Sequence, residues 1–175
     1  MPDRSDSDLP DLAPDCSACA ALCCVALALD RGPDFGIDKP AGAPCPHLDT
    51  RHSCTIHADL AARGYSGCLR YSCTGAGQRV IQDLFAGESW RDDPALLPRQ
   101  IEAFRHMRKL HDLLELLIAA RALPLGAAER ANADALIAPL AAPLSESSAA
   151  TLAAGPLPGQ VRAFLRSLAH HHTAR

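Results

Sequence analysis

The sequence predicts a mostly α-helical protein, with a cysteine-rich metal-binding half of irregular loops packed on a C-terminal helical bundle. Three observations carry this. Of the 175 residues 48% are apolar but only 4% aromatic, so the core must be built from Leu, Ala, Val and Ile, a composition that favours helix over sheet. From about residue 92 onward the apolar residues recur at steps of three and four. All eight cysteines fall between Cys16 and Cys73, and residues 74–175 contain none. Thiols gathered in this way describe a local site rather than staples spread over a fold. The chain divides accordingly into a disordered acidic tail (1–15), a cysteine-rich metal-binding region (16–90) and a helical region (91–175), together the size of one domain.

Taken in order, the tail carries Asp3, Asp6, Asp8, Asp11 and Asp15 against a single Arg4. Asp15 can cap a helix running to about Leu29, where Arg31-Gly32-Pro33 stops it. On such a helix Cys16, Cys19 and Cys23 fall within about 60° of one another, so one face presents three thiolates. Cys24 lies about 80° round from Cys16, at the edge of that face, so the doublet need not put both sulfurs on one ion. Residues 32–53 read as irregular chain, with Gly32, Gly36, Gly42 and four prolines. One or two helical turns over 58–63 end at Gly64, and Gly75-Ala-Gly77 leads into a short helix at about 77–86. Pro98 marks the start of a long helix whose buried stripe is Ala103, Met107, Leu110, Leu114 and Leu117, with Pro124 as its stop. Three more helices follow, at about 127–142 with Pro139 kinking or ending it, from Ser145 to Ala154 before Gly155, and at about 159–170.

The acidic start is the reverse of a secretory signal, and the apolar run Ala20–Leu29 is too short for a bilayer span of roughly 20 residues. A cytoplasmic setting without membrane contact is therefore expected, where thiols stay reduced and clustered cysteines read as ligands. A net charge of −3 offers no basic excess, which argues against nucleic acid as a partner. Thiolates select Zn²⁺, iron–sulfur clusters or Cu(I) over Ca²⁺ and Mg²⁺. Cys16, Cys19, Cys23, Cys24, Cys45, Cys54, Cys68 and Cys73 are the candidate ligands, and eight could supply two four-ligand sites.

The spacing C-x2-C-x3-C-C-x20-C-x8-C-x13-C-x4-C is neither that of a zinc finger nor that of a ferredoxin. Among the histidines, His47 and His52 read as loop or hydrogen-bonding residues, and His57 as a hydrogen bonder or a ligand. His106 and His111 lie about 140° apart on a helix and cannot share an ion. His170, His171 and His172 read as a frayed, solvated end. Gly75-x-Gly77 reads as a turn rather than a phosphate loop, having no strand before it.

These residues resemble a known family. Cys16-x2-Cys19-x3-Cys23-Cys24, then Pro44-Cys45-x2-Leu48, Cys54-x-Ile56 and the pair Cys68/Cys73 look like the YkgJ-type cysteine-cluster family, described as a zinc- or iron-chelating domain. The resemblance covers about residues 16–75. Asp38-Lys39-Pro40-Ala41-Gly42, Cys54-Thr-Ile-His57, Arg63-Gly64 and Gly75-Ala-Gly77-Gln78 look like the region that precedes the repeats in some bacterial pentapeptide-repeat proteins, and no such repeat follows here. Many YkgJ-type sequences have tyrosine where this chain has His57, and an Arg-Pro step before the next cysteine that is absent here. One branch contains lysine methylases of flagellin, for whose additional catalytic region this chain is short. The resemblance thus implies metal binding without an activity.

The expectation is a metal-binding module holding an iron–sulfur cluster of 4Fe-4S type or Zn²⁺. Its role is structural or redox, and the helical region is available to a protein partner. Thiol dominance favours the cluster. A metal-dependent enzyme with an open coordination position and a closed structural zinc module are the alternatives.

Overall fold

A computed structural model describes residues 9–172. The acidic tail expected over 1–15 lies outside the described residues for 1–8. Residues 9–15 are docked rather than loose: Leu9 and Leu12 pack on the main core, and the Gln78 side chain accepts from Asp15 N–H and donates to the Ala13 carbonyl, both at 2.8 Å.

The described chain is mostly helical, as expected, with seven α-helices and, among these residues, only isolated β-bridges in place of strands. Helices α1 (Leu22–Ala26), α2 (Ser66–Arg70) and α3 (Ala76–Arg79) are short, and α3 runs on into a π-turn over Val80–Leu84. The long helices are α4 (Leu97–Arg121), α5 (Ala127–Ala141), α6 (Glu146–Ala154) and α7 (Leu157–Ser167). Helix α4 is the hub, packing against α1, α3, α5, α6 and α7. Its expected stripe is buried: Met107, Leu110, Leu114 and Leu117 are wholly inaccessible and Ala103 nearly so. Burial of side chains this size supplies roughly 1.5–3 kcal/mol each, which is why α4 sets the position of everything else.

The remaining boundaries follow local chemistry. Pro98 lies in the first turn of α4, where a missing N–H costs nothing. Pro139 stays inside α5, two residues before its end, so it terminates the helix without a mid-helix break. Ser145 caps α6 by accepting from Ser148 N–H, and Gly155 follows its last turn.

The helix expected from Asp15 to Leu29 does not form as one piece. Asp15 does cap, accepting from Ser17 N–H and Ala18 N–H, but the turn it caps is a 3₁₀ turn of three residues, Cys16–Ala18. The chain then extends at Cys19, and Ala21 takes a left-handed conformation (φ 54°) before α1 starts. The single face carrying three thiolates is therefore replaced by a 3₁₀ turn, a kink and a short helix. Propensity favoured a helix here, but buried contacts at Ala20, Leu22 and Val25 redirect the backbone.

Below the main core a second, smaller hydrophobic cluster holds Leu29, Ile56, Leu60 and Tyr65. The loop over 32–53 is irregular as expected, and two isolated bridges, Leu29 with Lys39 and Leu48 with Cys54, fix its ends.

A buried polar network joins α3, α4 and α5. Arg79, 5% exposed, donates to the Leu140 carbonyl at 2.8 Å, to the Ala142 carbonyl at 2.7 Å and to His111 Nε2 at 3.1 Å. His111 Nδ1 faces the Thr74 carbonyl, which can only accept, so Nδ1 carries the proton and Nε2 is the acceptor. Burial, with the charges of Arg79 and Arg108, pulls the His111 pKa down to about 4 against the hydrogen bond to Thr74. An unfolded histidine binds its proton near 6.5, so between pH 6.5 and 4 the unfolded chain carries the extra proton. Stability is full above that window and falls by up to about 3 kcal/mol on acidification through it. His111→Asn, which keeps a donor toward Thr74, is expected to flatten the acid limb of denaturant midpoint against pH. Parallel acid limbs in the two proteins would refute the assignment.

Candidate metal centre

The eight thiols arrive from four separated segments. The 3₁₀ turn and kink bring Cys16 and Cys19, and α1 brings Cys23 and Cys24. The loop brings Cys45 and Cys54, and α2 and the stretch after it bring Cys68 and Cys73. Backbone hydrogen bonds pin these segments together. Cys45 N–H donates to the Cys24 carbonyl at 3.0 Å, Gly42 N–H to the Val25 carbonyl at 2.8 Å, and Cys68 N–H to the Tyr65 carbonyl at 3.0 Å. All eight are free thiols, seven of them half-buried and Cys16 exposed.

Their neighbours divide them into two sets. Cys19 feels the charges of Cys73 and Cys16, and Cys23 those of Cys24, Cys19 and Cys73. Cys68 feels Cys24, Cys45 and Cys54, and Cys45 feels Cys24 and Cys54. The apolar surroundings split the same way: Cys19, Cys23 and Cys73 pack on the main core, Cys54 and Cys68 on the small one. The doublet is the seam, with Cys23 Sγ and Cys24 Sγ 3.8 Å apart. Cys16 feels Cys73 first and then Cys24 and Cys54, so it lies beside the seam.

Ionisation is costly here without a cation. Burial pushes the Cys19 and Cys68 thiols up to about 11, and raises Cys16 and Cys45 as well. Within the doublet the shared hydrogen bond raises Cys23, which burial raises further, and lowers Cys24. The Lys39 ammonium also acts on Cys24 in the lowering direction. A bound metal would displace these protons, and its charge would replace the missing solvation.

Lys39 and Gly77 are residues that sequence reasoning did not assign to the site. Lys39 is 5% exposed, and its ammonium donates to the carbonyls of Leu27, Ala43 (2.8 Å), Pro40 (3.2 Å) and Val25 (3.4 Å). It ties the Gly/Pro loop to the end of α1 and sets a positive charge beside Cys24 and Cys45. A lone lysine in a loop carries no sequence signal of that burial. Gly77 had a signal in Gly75-x-Gly77, read as a turn. A methyl group there would lie 2.5 Å from Cys19 Sγ, so glycine is what leaves room for that sulfur. Gly77→Ala is accordingly expected to weaken metal retention at least roughly tenfold in a chelator competition, as loss of a positioning neighbour does. Unchanged retention would show that Cys19 does not need its present position.

The imidazoles of His47 and His52 are engaged by other side chains. His47 Nε2 meets Tyr65 Oη at 2.8 Å. His52 accepts from Arg91 at Nδ1 (3.0 Å), lies 2.8 Å from Ser89 Oγ through Nε2 and packs edge-on to Trp90. His57 is exposed. The C-terminal end, read as frayed, is ordered as far as His172 in a 3₁₀ turn (Leu168–His172), with His170 and His171 against Glu129.

Among the described residues no helix is long and apolar enough to cross a membrane. No family model matches the chain. It is 42% identical over 104 residues to a protein of Bacillus subtilis (strain 168) described as uncharacterized protein YybG. The match takes in 59% of this chain and 37% of that protein, so the chain spans well under half the length of this relative. No solved structure matches.

Proposed function

We propose that the protein is a metal-binding module whose eight cysteines hold two adjoining centres that meet at the Cys23–Cys24 doublet. One set is Cys16, Cys19, Cys23 and Cys73; the other is Cys24, Cys45, Cys54 and Cys68. The observation that carries the reading is the convergence of all eight thiols, from four chain segments, onto α1 and its flanks. Soft donors in that number suit zinc or iron–sulfur chemistry.

The iron–sulfur reading has the better support. A closed tetrahedral zinc site with bonds of 2.3 Å needs four sulfurs roughly 3.8 Å apart. Among the described residues no three cysteine sulfurs lie within 4.8 Å of one another. The eight candidate donors are all thiols, the ligand type that iron–sulfur clusters take. When bound, such a cluster supplies one-electron chemistry or structural cross-linking. This chain's residues hold it by thiolate, exclude water with the apolar side chains around Cys23, and place the Lys39 charge next to it. The role that follows is structural or redox support in a cytoplasmic setting, with the helical half available to a protein partner.

Anaerobic purification followed by iron, sulfide and zinc analysis tests the proposal. Iron and acid-labile sulfide with a visible charge-transfer band are expected. Stoichiometric zinc in a colourless protein would sink the iron–sulfur choice and keep the metal module. Cysteines paired in disulfides would sink both.

A further inference from the structure

We propose that Glu129, His170 and His171 form a separate, thiol-free site for a divalent cation of the zinc class. Glu129 belongs to the first turn of α5, and the two imidazoles to the 3₁₀ turn after α7. One donor atom from each residue lies within 4.8 Å of the other two. His171 Nε2 is 3.2 Å from both carboxylate oxygens, and His170 Nε2 is 3.3 Å from Oε1. Two imidazoles and one carboxylate with a fourth position open are a zinc ligand set, borderline in softness and distinct from the thiolate sets.

The hydrogen bonds around the trio point to a cation. His170 Nδ1 lies 2.9 Å from the Ser167 carbonyl, which can only accept, so Nδ1 carries the ring proton. In the neutral ring Nε2 then presents a lone pair to the Glu129 carboxylate, which is also an acceptor. Two acceptors 3.3 Å apart require something positive between them, either a second ring proton or a metal ion. An imidazole whose other nitrogen donates to a backbone carbonyl is oriented as metal ligands usually are. Glu129 is oriented too, because its Oε2 accepts from Gly126 N–H at 2.8 Å. The two imidazole rings are 4.1 Å apart, so protonating both would set like charges side by side. One shared divalent ion serves all three groups and avoids that repulsion. Its structural effect would be to fasten the turn after α7 to the start of α5.

The test uses full-length protein with its thiol centres loaded, labelled with ¹⁵N-histidine, at about pH 8 where free imidazole is neutral. Zinc chloride is the probe. The Nε2 resonances of His170 and His171 are expected to move together and saturate with a single added equivalent. Glu129→Gln is expected to weaken that response at least roughly tenfold. His170→Ala/His171→Ala is expected to abolish the added binding while helical circular dichroism stays unchanged. Resonances that ignore zinc, or a Glu129→Gln protein that responds like the wild type, would overturn the site. Because the readout is at imidazole nitrogen, zinc taken up by thiols cannot mimic the expected result.

Discussion

Replacing Cys23 and Cys24 together with alanine is expected to strip the bound metal from the purified protein, while each single substitution empties one centre and spares the other. In the proposed arrangement the doublet joins the two sulfur sets, its sulfurs 3.8 Å apart and facing different neighbours. Structural metal sites are worth on the order of 12 kcal/mol, so a thiolate from a set of four carries about 3 kcal/mol, or roughly a hundredfold in affinity. Metal content by elemental analysis should therefore fall to about half in Cys23→Ala and in Cys24→Ala, and to background in the double variant. Complete loss in one single variant with no loss in the other would instead mean one centre and a bystander cysteine. Alanine is the right replacement because both positions are partly buried, and a hydroxyl there would need a new hydrogen-bond partner.

The second large effect is expected at Arg79, on the helix that holds Gly77. Its guanidinium satisfies the carbonyls of Leu140 and Ala142 at the C-terminal end of α5, where Pro139 and the break at Ala142 leave few other donors. It also donates to His111, whose own proton goes to Thr74. Arg79→Met keeps the bulk and removes the donors, stranding buried acceptors at a cost of about 3 kcal/mol. For a chain of this size that is roughly 6–12 °C in melting temperature. Arg79→Lys should recover only a fraction, because one ammonium cannot span two carbonyls and a ring nitrogen as a planar fork does. A drop in melting temperature of under 2 °C, on the same scale, would show that the network is solvated rather than sealed.

The two predictions separate what each half of the chain contributes. Arg79 is buried against α4, and His111 and Gln100 are buried polar residues of α4 itself, each with its partners in place. They fix the bundle on which α1 and α3 rest, and through those helices the bundle sets the sulfur positions. A change at Arg79 is therefore expected to lower metal retention only as far as it lowers stability, whereas a change at the doublet removes ligands directly.

The sequence by itself determined the class of the fold, the α4 stripe, the Ser145 and Asp15 caps, and the confinement of soft ligands to one stretch. These are readable because periodicity, capping chemistry and thiol clustering are local properties. Only the tertiary structure decided how the sulfurs are arranged. A helix from Asp15 to Leu29 would have placed Cys16, Cys19 and Cys23 on one face. Burial of Ala20, Leu22 and Val25 against the bundle outweighs the helix propensity of that stretch and kinks it at Ala21. The burial of Lys39, the space at Gly77 and the meeting of Glu129 with His170 and His171 were likewise invisible in the sequence. Each depends on residues tens of positions apart, and such contacts are chosen by packing rather than by local preference.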